Sequence, residues 1–258
     1  MARAGCGVSS LPVIRPDWPA PARVRAVALT RAGGASGAPW TGLNLGDHVG
    51  DDPSAVAGNR SLVRTGLGLP AEPSWLEQVH GTNIVMAESV PGERCLPPVA
   101  DGAWTRQPGV VCAVMTADCL PVLFCDDAGS VVAAAHAGWR GLCAGILERT
   151  VEAMRVAPAR IQAWLGPAIG PGAFEVGADV RSAFLQHDSG AAAAFVAGKE
   201  PGKWLADLYL LAKIRLAGAG VIDVFGGGFC TYTDAERFYS HRRDRATGRM
   251  ASLIWLAH

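Results

Sequence analysis

The chain has 258 residues, half of them apolar and 18% charged, with lysine plus arginine and aspartate plus glutamate balanced at 23 each. That composition excludes a disordered chain, and the neutral balance gives no bulk attraction to nucleic acid or an anionic membrane, so a small neutral or anionic substrate is the expected partner. No apolar run approaches the ~18 residues of a membrane span or forms the core of a secretion signal. Seven scattered cysteines without a CxxC pair fit free thiols in a reducing compartment, and a cytoplasmic location is expected.

In chain order, residues 1–22 read as a loosely ordered lead-in, and residues 23–258 as a single catalytic domain without internal linker or repeat. A strand is expected at 24–30, followed by a glycine-rich loop. Asp52-Pro53 is a helix start, with the carboxylate as N-cap and proline in the first turn, and the helix runs to about residue 67. Asn44 and His48 ahead of it, and Arg60 within it, are polar groups open to substrate binding or to loop and cap duty. Residues 74–86 read as strand, turn, strand with His80-Gly81 at the bend, and 88–102 as a proline-rich loop. The continuous β-rich run 109–115 suits a strand buried on both faces.

Two apolar runs, 121–125 and 131–136, flank the turn sequence Asp126-Asp127-Ala128-Gly129-Ser130. A hairpin turn centred between Asp127 and Ala128 sets Cys119 opposite His136 on one face, close enough to share a metal ion. His80 is the best third ligand, and three protein ligands leave a fourth position open, as catalytic zinc sites do. From spacing alone a buried cysteine with satisfied core histidines remains the competing account. A helix is expected from residue 137 to about 155; its glycine-lined N-terminus and Arg140 suit either an anion or tight packing. Further on come a strand at 161–165, a rigid glycine/proline loop at 166–172 and a helix at 178–186. A peripheral alanine-rich stretch at 190–199 precedes a helix at 204–216, a strand at 221–225 and a closing strand at 250–256. Arg242 and Arg243 form either a solvated face or a phosphate clamp. Alternating strands and helices with inserted hairpins give an α/β class with a mixed β-sheet flanked by helices.

The blocks LEQVHG (76–81), TADCLPVLF (116–124) and AAAHAGWRG (133–141) resemble the YfiH-type family, once called multicopper polyphenol oxidoreductase or laccase-domain proteins. Residues 44–60, 166–177 and 230–249 are similar to further blocks of that family, and the resemblance covers roughly residues 24–257. It implies a layered α/β fold related in topology to the catalytic domain of cytotoxic necrotizing factor toxins. It also implies one zinc per chain on His80, Cys119 and His136. The implied activity is phosphorolysis of adenosine, inosine, guanosine and methylthioadenosine with orthophosphate, accompanied by adenosine deamination. Asn44, His48, Arg60, Asp118 and Arg140 fall in matching blocks near the pocket. Asp118 is the expected acid/base group, with orientation of a metal ligand as its alternative role. His241 departs from the aromatic expected before the arginine pair.

Three other functions compete. A His₂Cys set suits copper, but a laccase's trinuclear centre needs more histidines than the six present, two of which the triad uses. A metal-free Cys119–His136 hydrolase would use a thiolate nucleophile, in keeping with the peptidoglycan-precursor editing role proposed for the family. A non-catalytic zinc protein would need a fourth ligand, for which Cys125 and Glu77 are the nearest candidates. The zinc deaminase signature ending in PCxxC is absent. The oligomeric state, monomer or weak dimer, is left open.

Overall fold

The computed structural model describes residues 11–87 and 96–258. It opens with β1 (Val13–Ile14), β2 (Val24–Leu29) and α1 (Pro53–Gly66), and continues through β3 (Ile84–Met86), β4 (Gly102–Thr105), β5 (Val111–Thr116), β6 (Leu120–Asp126) and β7 (Val132–Ala137). Then come α2 (Trp139–Ala144), α3 (Ile146–Met154), β8 (Ile161–Leu165), β9 (Glu175–Gly177) and α4 (Ala178–His187). The chain closes with β10 (Phe195–Ala197), β11 (Lys203–Ala206), α5 (Leu208–Gly218), β12 (Asp223–Gly226), α6 (His241–Asp244) and β13 (Met250–Leu256).

Two sheets stack face to face. One is antiparallel, ordered β1-β2-β13-β5; the other is mixed, ordered β12-β8-β6-β7-β4-β3, with parallel pairing at β12/β8 and β3/β4. Period-two alternation assigns each strand's faces. Cys112, Val114 and Ile254 meet Leu123, Cys125, Val132 and Ala134 between the sheets. Val111, Ala113, Met115 and Leu253 turn outward onto Leu43, Leu45 and Val63 of the α1 side. On the far face Val122, Phe124 and Ala135 pack under α2, α3, α4 and α5. Strands buried on both faces carry no polar alternation, which is why β5, β6 and β7 read as continuous apolar runs.

The expected α1 forms with its cap: Asp52 accepts the Ser54 N–H at 2.9 Å, and Val56, Asn59 and Val63 are buried. Other expectations change. The hairpin pairs Pro121 with His136 and Cys125 with Val132, so its turn centres one residue later than the sequence suggested. Asp126 sets that turn by accepting the Ser130 N–H at 2.6 Å and the Val131 N–H at 3.1 Å, with Gly129 at φ +63°. The offset between partners is two residues, so the face of every side chain is preserved.

The helix expected over 137–155 is broken at Gly145, whose φ of +103° ends α2 and opens α3. Residues 203–206 are the strand β11 rather than helix, and α5 begins only after Asp207, whose carboxylate caps the Leu210 N–H at 3.0 Å. In the 74–86 stretch only β3 is a strand; Ser74 and Glu77 make isolated bridges. The alanine-rich stretch is less peripheral than expected, since Ala191 and Ala194 are buried in the helical layer. The lead-in is tied down from Leu11 onward, because β1 pairs with β2. Residues 1–10, and 88–95 of the proline-rich loop, lie outside the described residues, as do Cys6 and Cys95.

Candidate metal centre

Three separate stretches deliver the three donors. His136 lies on β7, buried, next to the end that leads into α2. Cys119 stands in the turn between β5 and β6, after Asp118 at φ +92°. His80 is exposed on a loop at φ +62°, a left-handed conformation that a non-glycine residue adopts at a cost. Gln78 pins that loop to the end of β5, donating to the Met115 carbonyl at 2.8 Å and accepting the Met115 N–H at 2.7 Å.

Asp101, fully buried just ahead of β4, holds the two histidines together. One carboxylate oxygen accepts the His80 N–H at 2.9 Å and lies 2.8 Å from His136 Nδ1; the other accepts the Gly81 N–H at 2.6 Å. Successive N–H groups around a left-handed residue form a nest that suits an anion, so Asp101 offsets the strain at His80. Its bond to Nδ1 leaves Nε2 of His136 as the nitrogen facing Cys119.

The donor atoms of His80, Cys119 and His136 all lie within 4.8 Å of one another. His80 Nε2 is 3.7 Å from Cys119 Sγ, and the two imidazoles meet edge to face with centroids 4.8 Å apart. Zinc–sulfur and zinc–nitrogen bonds of ~2.3 and ~2.0 Å in a tetrahedron place their donors at about this spacing, so the group fits one metal ion. Among the described residues no fourth His, Cys, Asp or Glu joins it. Cys125 is buried between the sheets, and neither it nor Glu77 joins the cluster. Space for the triad is kept by Gly138, where a Cβ would come within 2.8 Å of His80 Cδ2 and 3.0 Å of Cys119 Sγ.

Electrostatics separate Cys119 from the structural thiols. Burial alone raises a thiol's pKa, but the His136 and His80 imidazoles override it and bring Cys119 down to about 6. Burial likewise works against the His136 imidazolium, and the Cys119 thiolate and Asp101 reverse it, raising His136. At Cys112 and Cys125 burial is unopposed and pushes the thiols up. Without metal, Cys119 and His136 therefore form a thiolate–imidazolium pair with Asp101 behind it.

The remaining sequence-derived residues divide. Asp118 adjoins the centre, but both carboxylate oxygens are engaged, one by the Thr231 hydroxyl and one by the Arg242 N–H, each at 2.6 Å. These bonds tie the 118–119 turn to the C-terminal segment and reach none of the three candidate donors. Asn44 is fully buried and organises its loop, donating to Gly46 and Asp51 and accepting from the Gly46 and Arg249 N–H groups. Arg60 is spent on the Leu45 carbonyl and Asp47 and stacks on Trp75. Arg243 donates to the Thr231, Tyr232 and Phe238 carbonyls and to Asp244, which makes it a loop staple. Arg242 donates to the Glu175 carbonyl and lies over Phe174. Arg140 is exposed and stacks on Trp139.

His48 lines a cleft of about 280 Å³ together with Asp47, Arg60, Trp75, Gln78 and Met115, and the cleft reaches Val79 beside His80. A larger cavity of about 410 Å³, between α3 and the end of α5, is remote from this chemistry in its lining. Sequence reasoning passed over Asp101, Thr231 and Arg249. Asp101 left one signal, a lone acid between Ala100 and Gly102 at the entry to an apolar strand.

Fold and site together define a layered α/β protein with one open His-Cys-His cluster able to hold a metal ion. The family model described as multi-copper polyphenol oxidoreductase laccase matches residues 25–257, and the chain belongs to that family, the YfiH type. It is 56% identical over 243 residues to the purine nucleoside phosphorylase PA4543 of Pseudomonas aeruginosa, covering 94% of this chain and 98% of that one. It is 55% identical over 244 residues to the purine nucleoside phosphorylase YfiH of Escherichia coli, covering 95% and 98%. Among solved structures, the Neisseria meningitidis protein NMB0706 superposes with a TM-score of 0.90 at 52% identity, over 95% of this chain and 99% of that one. The Bacillus licheniformis protein YfiH does so at 0.84 and 32%, over 90% and 92%. No helix among the described residues is long and apolar enough to cross a membrane.

Proposed function

We propose that this protein is a zinc-dependent purine nucleoside phosphorylase acting on adenosine, inosine, guanosine and methylthioadenosine, with adenosine deamination as an accompanying activity. The observation that carries the reading is the three-donor cluster, open on one side and next to a cleft, in a chain so similar to proteins named purine nucleoside phosphorylase. In phosphorolysis an orthophosphate oxygen bonds to C1′ while the C1′–N9 bond breaks. The electron pair leaves on the purine, which takes up a proton. Bound zinc supplies a Lewis acid that polarises a substrate oxygen or nitrogen. Asp101 holds the two histidines, Asp118 anchors the turn that carries Cys119, and the cleft at His48 and Trp75 shields the nucleoside from water.

Copper would also suit a His₂Cys set. The described residues nevertheless hold one candidate metal cluster and no second group for a trinuclear centre, which favours zinc chemistry over laccase chemistry.

A second reading rests on one observation, the Cys119–His136–Asp101 relay, which is that of a cysteine hydrolase when no metal is bound. Metal content and product analysis on wild type and Cys119→Ala separate the two. One zinc per chain and phosphate-dependent release of adenine, both lost in the variant, support the phosphorylase. Turnover that persists after metal removal and is abolished by thiol alkylation supports the hydrolase.

A further inference from the structure

Orthophosphate needs a cation with free donors near the metal centre, and the arginines around the site differ in how far theirs are committed. Arg243 spends all three guanidinium nitrogens on carbonyls and Asp244, Arg60 spends Nε and Nη2 on the Leu45 carbonyl and Asp47, and Arg242 uses Nη1 alone, on the Glu175 carbonyl. Arg140 is exposed over Trp139. Arg242 and Arg140 thus also keep free donors among the described residues; Arg249, just ahead of β13, differs in how firmly its backbone and stem are anchored.

Its backbone is fixed at both ends: the N–H donates to Asn44 at 2.8 Å, and its carbonyl accepts the Leu45 N–H at 3.1 Å. The stem lies flush on Gly46, where a Cβ would stand 2.8 Å from Arg249 Cγ and 3.5 Å from His48 Cε1. The stem thereby shares the Gly46 surface with the His48 ring, which lines the cleft. One terminal nitrogen, Nη1, donates to the Thr247 and Gly248 carbonyls, at 3.0 and 3.1 Å. Nε and Nη2 meet no acceptor among the described residues, and no carboxylate there forms an ion pair with this arginine. The anionic groups that act on it are Cys119 and Asp118. Asp118 is already hydrogen-bonded on both oxygens, and a metal ion on Cys119 would neutralise the thiolate. A half-buried guanidinium with an unspent Nε/Nη2 edge is a fork for a tetrahedral or planar oxyanion.

We propose that Arg249 binds the orthophosphate substrate between the metal centre and the His48 cleft, an assignment that rests on the phosphorylase reading. Arg249→Gln keeps the stem against Gly46 and the backbone bond to Asn44 while removing charge and fork. Arg249→Lys keeps the charge and loses the fork. On zinc-loaded protein, with nucleoside saturating, Arg249→Gln raises the KM for orthophosphate by about 10- to 100-fold, the range of a lost charge-assisted hydrogen bond pair. Nucleoside KM stays within about threefold, zinc content is unchanged, and Arg249→Lys falls between wild type and Arg249→Gln. A phosphate KM within twofold of wild type, or an equal rise in both KM values, overturns the assignment. Should Arg249→Gln fail to fold, Arg249→Lys carries the same comparison.

Isothermal titration of orthophosphate into both zinc-loaded proteins separates this idea from the function it rests on. If wild type shows no phosphate-dependent turnover, the phosphorylase reading falls. Phosphate binding by wild type that Arg249→Gln loses still sustains the anion site, and equal or absent binding overturns it.

Discussion

Replacing Asp101 by asparagine changes one atom in the centre of the site, and no orientation of the new side chain suits its neighbours. The carboxylate faces donors on both sides: His136 Nδ1 at 2.8 Å and the His80 N–H at 2.9 Å on one oxygen, the Gly81 N–H at 2.6 Å on the other. With the amide NH₂ towards Gly81, two donors meet and a buried N–H is stranded. With it towards His136, the ring accepts at Nδ1, and Nε2 carries the proton where a metal would bind. Stranding one buried donor costs about 1–3 kcal/mol of stability. Losing the support of a ligating histidine lowers metal affinity by about 10- to 100-fold.

The assays are zinc competition against a chromogenic chelator and thermal melts of the metal-free protein. The pKa of Asp101 is lowered: burial raises it, and the bonds from His136, Gly81 and His80 outweigh burial. A depressed carboxylate contributes stability above its unfolded pKa and loses it as pH falls through the folded one. The wild-type melt therefore falls more steeply in the acid range than that of Asp101→Asn. Zinc affinity within about threefold of wild type, with an unchanged melt, would refute the account of Asp101 as the shared support.

Two more predictions concern the same few atoms. Gly138→Ala drives a methyl against His80 Cδ2 and Cys119 Sγ, so zinc retained after a chelator wash drops at least about tenfold, at a stability cost of about 1–3 kcal/mol. Gly172→Ala, with open space around its Cβ, leaves both unchanged. In metal-free protein, alkylation of Cys119 by iodoacetamide reaches half its maximal rate near pH 6, because the pKa is lowered to about 6, and it levels off by neutral pH. Buried Cys112 and Cys125 do not react, and zinc protects Cys119. A Cys119 rate still climbing above pH 8 would rule out the thiolate–imidazolium pair.

The candidate metal donors were legible because cysteine and histidine on flanking apolar runs are conspicuous, and because a hairpin's side chains alternate with period two. The register inferred from the turn was off by two residues, and Cys119 falls just outside the ladder, yet its sulfur still lies within 4.8 Å of the His80 and His136 donor nitrogens. Helical periodicity misled at two places. Gly145 breaks an otherwise continuous pattern by taking φ +103°. Residues 203–206 have helix-forming neighbours but pair with β9 and β10, a tertiary contact that local propensity does not record. Asn44, Arg60 and Arg243 looked like substrate groups because they are polar and sit in motif-dense loops. Their donors and acceptors close those loops instead, and one sequence does not distinguish a loop's internal bonds from its offered ones.

What the sequence reading lacked most was the pairing of distant residues that makes a loop rigid. His80 and Asp118 both hold left-handed conformations, at φ +62° and +92°, each at a cost of about 1–3 kcal/mol for a non-glycine residue. A buried carboxylate stands at each bend. Asp101 collects the N–H groups around His80, and the Asp118 side chain takes the Thr231 hydroxyl and the Arg242 N–H from the C-terminal segment. The same C-terminal segment carries Arg249, whose backbone closes on the Asn44 loop. The 44–48 loop and the 118–119 turn are therefore both braced against the 231–249 segment through Asn44 and Asp118, while Asp101 ties the 78–81 loop to β7. Of the three candidate donors His80 has a strained backbone, Cys119 follows the strained Asp118 and His136 lies on β7, and this bracing holds the donor atoms close before any metal arrives. Preorganisation of this kind keeps the ordering cost out of the binding step, so weakening either aspartate is expected to act on metal affinity before it acts on the fold.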